Sequence, residues 1–333
     1  MAYIKLSKEN FRHNIGQFCQ YINMEKLCLG LKDNAYGHGI VSISKLFRNS
    51  GGKHCFVRNE SEALQVIDHG YSSILVLYPE SFGILDESVF YAINSIEQLK
   101  KASNDCNLEL KIDSGMGRNG ILPAELNDAI KIMQEKNLNI KGVFTHFYAS
   151  DECDVTTVEQ KTLFDNLIKS LVQQLPKPMR IHCMNSGSVT SISCDNYDIA
   201  RIGIGLYGYG RMNLDLKPVL SLYAKKISTR VLKKGQRVGY GIPGYVVKNN
   251  ELVVSNYDCG YGDGFPRISE NEIFYSYIGV PSIGRSSMDS ISFNSSVDEL
   301  CIFNDASEIA KLKNTIIYDI LVSLKESLTR KLV

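Results

Sequence analysis

The sequence predicts an α/β protein: a (β/α)8 TIM-like barrel over residues 1–214, followed by a second, mainly β domain over residues 215–333. Three observations predict it. Short apolar runs rich in β-branched residues recur up to about residue 204, each bounded by polar or glycine punctuation. Segments between several of these runs carry apolar residues at helical spacing, and alternating strand and helix favours a parallel sheet. Past about Met212 the texture changes to short strand-like runs broken by Gly, Pro and Asn turns.

Eight candidate strands fall at residues 27–31, 55–57, 74–78, 90–93, 108–112, 142–145, 180–184 and 199–204. Eight such units suggest a closed barrel. The clearest helix lies between the sixth and seventh strands, where Phe164, Leu167, Ile168, Leu171, Val172 and Leu175 recur at spacings of three and four. Another, between the fifth and sixth, carries Leu126, Ala129, Ile130 and Met133 after Pro123 sets an early helical position. The fourth strand is short, and residues 79–88 before it leave barely enough chain for a helix. In the second domain, residues 219–224 and 252–255 read as strands. No low-complexity linker or internal repeat divides the chain.

With 37 basic and 36 acidic residues the net charge is +1, so no long-range field draws the protein to nucleic acid or an anionic membrane. The opening MAYIKLSKEN lacks the apolar core of a signal peptide, and no stretch nears the ~20 apolar residues of a membrane helix. The expectation is a soluble, cytoplasmic protein. The nine cysteines are spread singly without a C-x-x-C pair, which points to buried small hydrophobes and reduced thiols, with no metal site.

The strongest segment is Lys32-Asp33-Asn34-Ala35-Tyr36-Gly37-His38-Gly39, directly after the first apolar run. In a (β/α)8 barrel the C-terminal ends of the strands carry the chemistry. A lysine held there beside low-polarity walls can lose its proton and form an imine with an aldehyde cofactor. A solvated lysine before a glycine turn fits the spacing equally well. The later polar clusters also have plain readings: Lys111 to Arg118 as a strand and glycine turn, His146 as a structural histidine, Asn185 and Ser186 as helix caps.

Taken together and in order, these segments resemble the alanine racemase family over nearly the whole chain. Residues 32–39 match seven of the eight positions of the family's K-A-[DN]-A-Y-G-H-G core. The resemblance implies that Lys32 holds pyridoxal 5'-phosphate and that Tyr36 contacts its phosphate. Residues 111–118, KIDSGMGR, look like K-x-D-[TS]-G-M-x-R. Arg118 would then lie by the cofactor hydroxyl and the substrate carboxylate, a task that suits a forked guanidinium, and Lys111 matches a lysine carbamylated in some members. Thr145-His146-Phe147 is similar to T-H-F, whose histidine lies in the hydrogen-bond chain behind the catalytic tyrosine. Asn185-Ser186 resembles a phosphate-binding pair, consistent with a hydroxyl and backbone N–H groups at a helix start.

Arg201-Ile202-Gly203-Ile204 looks like R-P-G-[IV], with isoleucine in place of proline. The change restores a backbone N–H and frees φ. By the resemblance Arg201 faces the cofactor's pyridine nitrogen, with Gly203 and Ile204 beside the cofactor. A permanent charge there disfavours ring protonation and favours simple proton exchange over side reactions. The overlapping Gly203-x-Gly205-x-x-Gly208 satisfies a dinucleotide fingerprint only formally, because YGRMNLDLKPV after it shows no helical face.

In the second domain, residues 260–267, GYGDGFPR, resemble G-Y-A-D-G-[YW]-x-R, and the resemblance makes Tyr261 the second catalytic base. Residues 284–289 match G-R-x-x-M-D, whose methionine, Met288, helps bind the substrate carboxylate through its backbone. Residues 314–319 look like N-T-I-x-Y-E, which makes Tyr318 a further phosphate ligand. Val238-Gly239-Tyr240-Gly241 also resembles a short block of this domain, with no role attached.

The implied activity is racemisation of alanine by two opposed bases, Lys32 taking the proton of the D-isomer and Tyr261 that of the L-isomer. Tyr261 and Met288 would come from a partner subunit of a homodimer. A serine or broad-specificity racemase on the same scaffold is the nearest alternative, since a methyl and a hydroxymethyl differ little. A non-catalytic cofactor carrier is a second alternative, opposed by the presence of the β domain and Tyr261.

Overall fold

A computed structural model of the protein describes residues 1–174, 179–242 and 244–333. The chain divides into two units: Glu9–Ala35 with Ile40–Lys217, and Met1–Lys8 with Tyr36–Gly39 and Pro218–Val333.

Strand β1 (Tyr3–Leu6) belongs to the latter unit. The former is built on β2 (Leu27–Gly30), β3 (His54–Val57), β4 (Ser73–Val76), β5 (Val89–Ile93), β6 (Asn107–Lys111), β7 (Ile140–Phe144), β8 (Arg180–His182) and β9 (Ala200–Ile202). These eight form one parallel sheet in the order β8-β7-β6-β5-β4-β3-β2-β9. Between β8 and β9 the circle is drawn together by the bridge of Asn185 with Arg201, where the Arg201 N–H donates to the Met184 carbonyl at 3.0 Å. The result is a nearly closed barrel whose strands are covered on both faces. That is why β2 and β4 read as unbroken buried runs, LCLG and SILV, rather than alternating ones. Cys28, Phe56, Leu75, Ala92, Phe144 and Ile199 form one buried cluster drawn from around the barrel.

The helix Asp154–Val172 turns Phe164, Ile168 and Leu171 inward, as the period of three and four predicts; Leu175 lies outside the described residues. The helix Leu126–Glu135 buries Leu126, Ala129, Ile130 and Met133 behind the 3-10 turn Pro123–Glu125. Between β4 and β5 no helix forms, and residues 77–88 cross as a loop. Its backbone is satisfied locally. The Glu60 carboxylate accepts the N–H groups of Glu80, Ser81 and Phe82, and the Tyr91 hydroxyl accepts that of Ile84.

The other unit is mainly β. Its strands are β1, β10 (Leu220–Lys233), β11 (Arg237–Val238), β12 (Tyr245–Val246), β13 (Glu251–Tyr257), β14 (Ile291–Phe293), β15 (Glu299–Phe303) and β16 (Thr329–Leu332). The main sheet runs β14-β13-β10-β1-β16, with β15 also on β10. The long β10 pairs with β1 and β15 along its first half and with β13 along its second, bending through register shifts at Leu222/Tyr223 and Lys226/Ser228. Two short helices, Ser307–Leu312 and Ile317–Ser323, complete the unit. Among the described residues no helix is long and apolar enough to cross a membrane, and all nine cysteines are free.

Phe164, on the inward face of the long barrel helix, is fully buried. We expect Phe164→Ala to cost about 3–5 kcal/mol, read as a lower urea midpoint at an unchanged slope. An unmoved midpoint would contradict this packing.

Candidate active site

Chemistry-bearing side chains gather where the barrel strands end. Lys32 lies just past β2, Lys111 closes β6, His146 follows β7, Asn185 and Ser186 follow β8, and Gly203 follows β9. All of these are C-terminal ends, the face on which barrels of this class place their sites.

After Lys32 the backbone makes a left-handed turn. Asp33, Asn34, Ala35 and Tyr36 have φ between 52° and 54°, a region that costs each non-glycine residue roughly 1–2 kcal/mol. Specific partners hold the turn in place. The Ala35 N–H donates to the Leu31 carbonyl at 2.7 Å and the Asn34 N–H to the Glu62 carboxylate at 3.0 Å, while the Asn34 side-chain oxygen accepts the Ile40 N–H at 2.8 Å. Asp33 is shared between Lys32 (3.4 Å) and Arg58 (3.1 Å), and the Lys32 side chain keeps partial access to solvent.

His146 marks where the cations converge. Its pKa is lowered to about 3, first by the protein packed around the ring and then by the positive charges of Arg201, Lys111, Arg118 and Lys32. Histidine is therefore neutral here at any physiological pH. Buried Lys111 is brought down to about 8, chiefly by desolvation and further by Arg118 and Arg201, against a smaller opposing pull from Asp113. Asp113 does not cancel this charge directly, because its carboxylate accepts the backbone N–H groups of Gly115, Met116, Gly117 and Arg118 at 2.9–3.1 Å. That nest shapes the loop carrying exposed Arg118. Gln160, from the long helix, donates to the Ser114 hydroxyl (3.1 Å) and the His146 carbonyl (2.9 Å), tying the loops after β6 and β7 together.

Arg201 is only 5% exposed. One guanidinium nitrogen donates to the Thr145 carbonyl at 2.6 Å and the other to Nδ1 of His182, over the face of Phe144. His182 Nε2 meets Glu109 at 2.9 Å, and Glu109 also takes Nε of Arg180 at 2.7 Å. Burial would raise the Glu109 pKa, but the Arg180 charge and the His182 hydrogen bond outweigh it and hold the carboxylate below its usual range, while burial holds His182 neutral. Glu109, Arg180 and His182 belong to no motif, although Glu109 with Lys111 and Arg180 with His182 alternate along strands, which is the signature of polar residues sharing one face.

The Asn185 side chain caps the turn that follows it. Its side-chain oxygen accepts the Ser188 N–H and the Ser150 hydroxyl, and its amide donates to the Phe147 carbonyl. The Ser186 hydroxyl accepts the Gly203 N–H at 3.1 Å, so Ser186, Gly203 and Ile204 meet at the start of the 3-10 turn Ile204–Tyr207. That turn ends after four residues at Gly208, far short of the helix a dinucleotide fingerprint opens.

The mainly β unit brings together the remaining positions. The Tyr36 and Tyr318 rings lie 5.9 Å apart. Arg330 donates twice to the Gly37 carbonyl at 2.9–3.0 Å, and a Cβ on Gly37 would lie 2.0 Å from the Leu321 oxygen. Tyr261 donates its N–H to Ser287 and Gly262 donates to Met288, so the loops bearing Tyr261 and Met288 are clamped together. Tyr261 is 41% exposed. Tyr240, in the β11–β12 connection, is 66% exposed and lies between two positive-φ glycines, with the Arg285 guanidinium packed against Gly241.

Residues 6–211 match the family model described as "Alanine racemase, N-terminal domain", and residues 219–332 match "Alanine racemase, C-terminal domain". The chain is 38% identical over 341 residues to an alanine racemase of Campylobacter concisus, with 100% of both chains covered. It is likewise 38% identical over 341 residues to one of Nitratiruptor sp., with 99% of each covered. Among solved structures, the alanine racemase of Clostridium difficile 630 superposes with a TM-score of 0.89 at 24% identity, covering 100% of this chain and 95% of that one. A Bacillus anthracis alanine racemase with bound L-Ala-P superposes at 0.87 and 24%, with the same coverage.

Gly37 combines a φ of 77° with no room for a side chain. Gly37→Ala is expected to destabilise the protein by more than about 1 kcal/mol, visible as a lowered thermal midpoint; a variant as stable as the parent would show that this close approach is absent.

Proposed function

Because this chain belongs to the alanine racemase family, we propose that it interconverts L-alanine and D-alanine using pyridoxal 5'-phosphate held by Lys32. The observation that carries this reading is the convergence of Lys32, Lys111, Arg118 and Arg201 on His146 at the catalytic end of the barrel. The donor set fits that cofactor: two carboxylates beside these cations are engaged, Asp113 by backbone N–H groups and Asp33 by Lys32 and Arg58, so an anionic group is favoured. Asn185, the Ser186 hydroxyl and the backbone of Gly203 and Ile204 would offer neutral donors to its phosphate, and the family motifs assign Tyr36 and Tyr318 as further phosphate ligands. When bound, the cofactor supplies an aldehyde for covalent attachment to an amine and a conjugated ring that draws electrons from the substrate's Cα–H bond.

The protein's own part is positioning and proton handling. Residues 1–214 carry the cofactor, and residues 215–333 contribute the second base. Arg118 and the Met288 backbone hold the substrate carboxylate, which turns one face of Cα toward each base. Nζ of Lys32 takes the D-isomer's proton and a phenol of the β domain takes the L-isomer's, each returning a proton in the reverse direction. Neutral His146 can relay a hydrogen bond to that phenol without adding charge. Arg201 cannot give up its proton, and its charge would disfavour protonation of a cofactor ring nitrogen held against it. The second base and Met288 are supplied by a partner subunit in a cytoplasmic homodimer.

Motif order assigns the phenol to Tyr261. Tyr240 is the competing group, and a specific observation favours it: it is 66% exposed, against 41% for Tyr261, in a turn between two positive-φ glycines, where it is presented outward. Parallel Tyr261→Phe and Tyr240→Phe variants decide between them. L-Alanine in deuterated water is expected to exchange its α-proton and lose optical rotation; binding without exchange would indicate a carrier instead. The variant lacking the true base should lose abstraction from L-alanine far more than from D-alanine in single turnovers. Equal losses in both directions for both variants would refute a phenol as the second base.

A lysine with a pKa of about 8 has a neutral fraction that rises through that pH, and only the neutral amine adds carbon dioxide. We expect Lys111 to be carbamylated, which places a negative charge beside Arg118. Carbon-13 bicarbonate should give a carbamate resonance that grows as pH rises toward about 8 and is absent in Lys111→Gln. A signal unchanged in that variant would contradict the assignment.

A further inference from the structure

Glu109 is fully buried in β6 and has no place in the mechanism above. Its neighbours are arranged around its charge. Arg180, two strands away, donates Nε to one carboxylate oxygen at 2.7 Å and is itself fixed by the Ser73 hydroxyl at 2.7 Å and by the Phe90 ring at 4.6 Å. On the intervening strand Gly142 leaves the space: a Cβ there would lie 2.8 Å from the Glu109 oxygen. The second carboxylate oxygen meets His182 Nε2 at 2.9 Å, and His182 stacks on Phe144 with ring centroids 4.9 Å apart.

The tautomer of His182 follows from donor counting alone. A guanidinium has donors and no acceptor, so the Nδ1 atom facing Arg201 must be bare. An ionised carboxylate has acceptors and no donor, so the Nε2 atom facing Glu109 must carry the hydrogen. Only one neutral tautomer satisfies both, since an imidazolium would set an N–H against the Arg201 donor.

We propose that Glu109 is a positioning residue that locks His182 in its Nε2–H tautomer, so that bare Nδ1 aims the Arg201 guanidinium. In Glu109→Gln the amide oxygen stays with the Arg180 donors and the NH2 faces His182 Nε2, which calls for a bare Nε2 and so for the Nδ1–H form, sets an N–H against the Arg201 donor and turns Arg201 away. The tautomer assignment needs only the unloaded protein. Its consequence for turnover rests on the reading of Arg201 as the cofactor-facing cation.

The test uses nitrogen-15 histidine labelling and long-range proton–nitrogen spectra of the cofactor-free protein. His182 is expected as neutral Nε2–H with no titration from about pH 6 to about pH 9. Glu109→Gln should introduce the Nδ1–H form, and in the loaded enzyme it should shift the cofactor absorbance and lower kcat by about 10-fold with KM within about two-fold. Arg180→Lys, which leaves the carboxylate in place, should keep the wild-type tautomer. If Glu109→Gln does not fold, Glu109→Asp withdraws the carboxylate by one methylene and gives the same readouts. Wild-type His182 found as Nδ1–H or imidazolium overturns the proposal, as does a Glu109 variant with unchanged tautomer. A changed tautomer with unchanged kcat and absorbance overturns the positioning role. A wild-type protein inactive on alanine overturns the racemase reading and leaves the tautomer result standing.

Discussion

A guanidinium enclosed by eight parallel strands needs answering charge and acceptors, since an uncompensated buried cation costs several kcal/mol. Arg201 is in that position. The carbonyl of Thr145, the bare nitrogen of His182 and, one step further, the carboxylate of Glu109 supply what solvent would have supplied. β9, β8, β7 and β6 are thereby tied at one level of the barrel. Burial first, and then the charge that survives this compensation, lower the pKa of Lys111 and hold His146 neutral. A pocket with such a surplus is prepared for an anion and for an amine that can react.

Backbone strain and missing side chains serve the same end. Four successive residues in the left-handed region follow Lys32, a cost met by Glu62, by the Asn34 side chain and by the Leu31 carbonyl. Strain of this kind persists where surrounding contacts over-determine it, and it commonly accompanies function. Gly37 admits the Leu321 carbonyl, and Gly142 admits the Glu109 carboxylate. In each case the absence of a Cβ is what allows a polar partner to approach.

Much of this architecture was legible in the residues. Buried apolar runs located the eight barrel strands to within a few residues, and the period of three and four located the helices Leu126–Glu135 and Asp154–Val172. Strand ends then placed Lys32, Lys111, His146, Ser186 and Gly203 on one face of the barrel. The pairing of β1 with β10 and β16 was not legible, because contacts so distant in sequence leave no local pattern. The helices Ser307–Leu312 and Ile317–Ser323 are too short to show a period. The left-handed turn at residues 33–36 was hidden because non-glycine residues occupy it. His182 and Glu109 each look like an ordinary polar residue until the partners on other strands are known.

The account stands on the Lys32 amine being the group that holds the cofactor in this cationic mouth. Borohydride reduction of the loaded protein fixes the cofactor carbon to whichever amine carries it, and peptide mass mapping then identifies that residue. A pyridoxyl mass increment on the peptide containing Lys32, and on no other lysine peptide, is the predicted result. The increment on Lys111 or elsewhere, or none at all, would contradict the account.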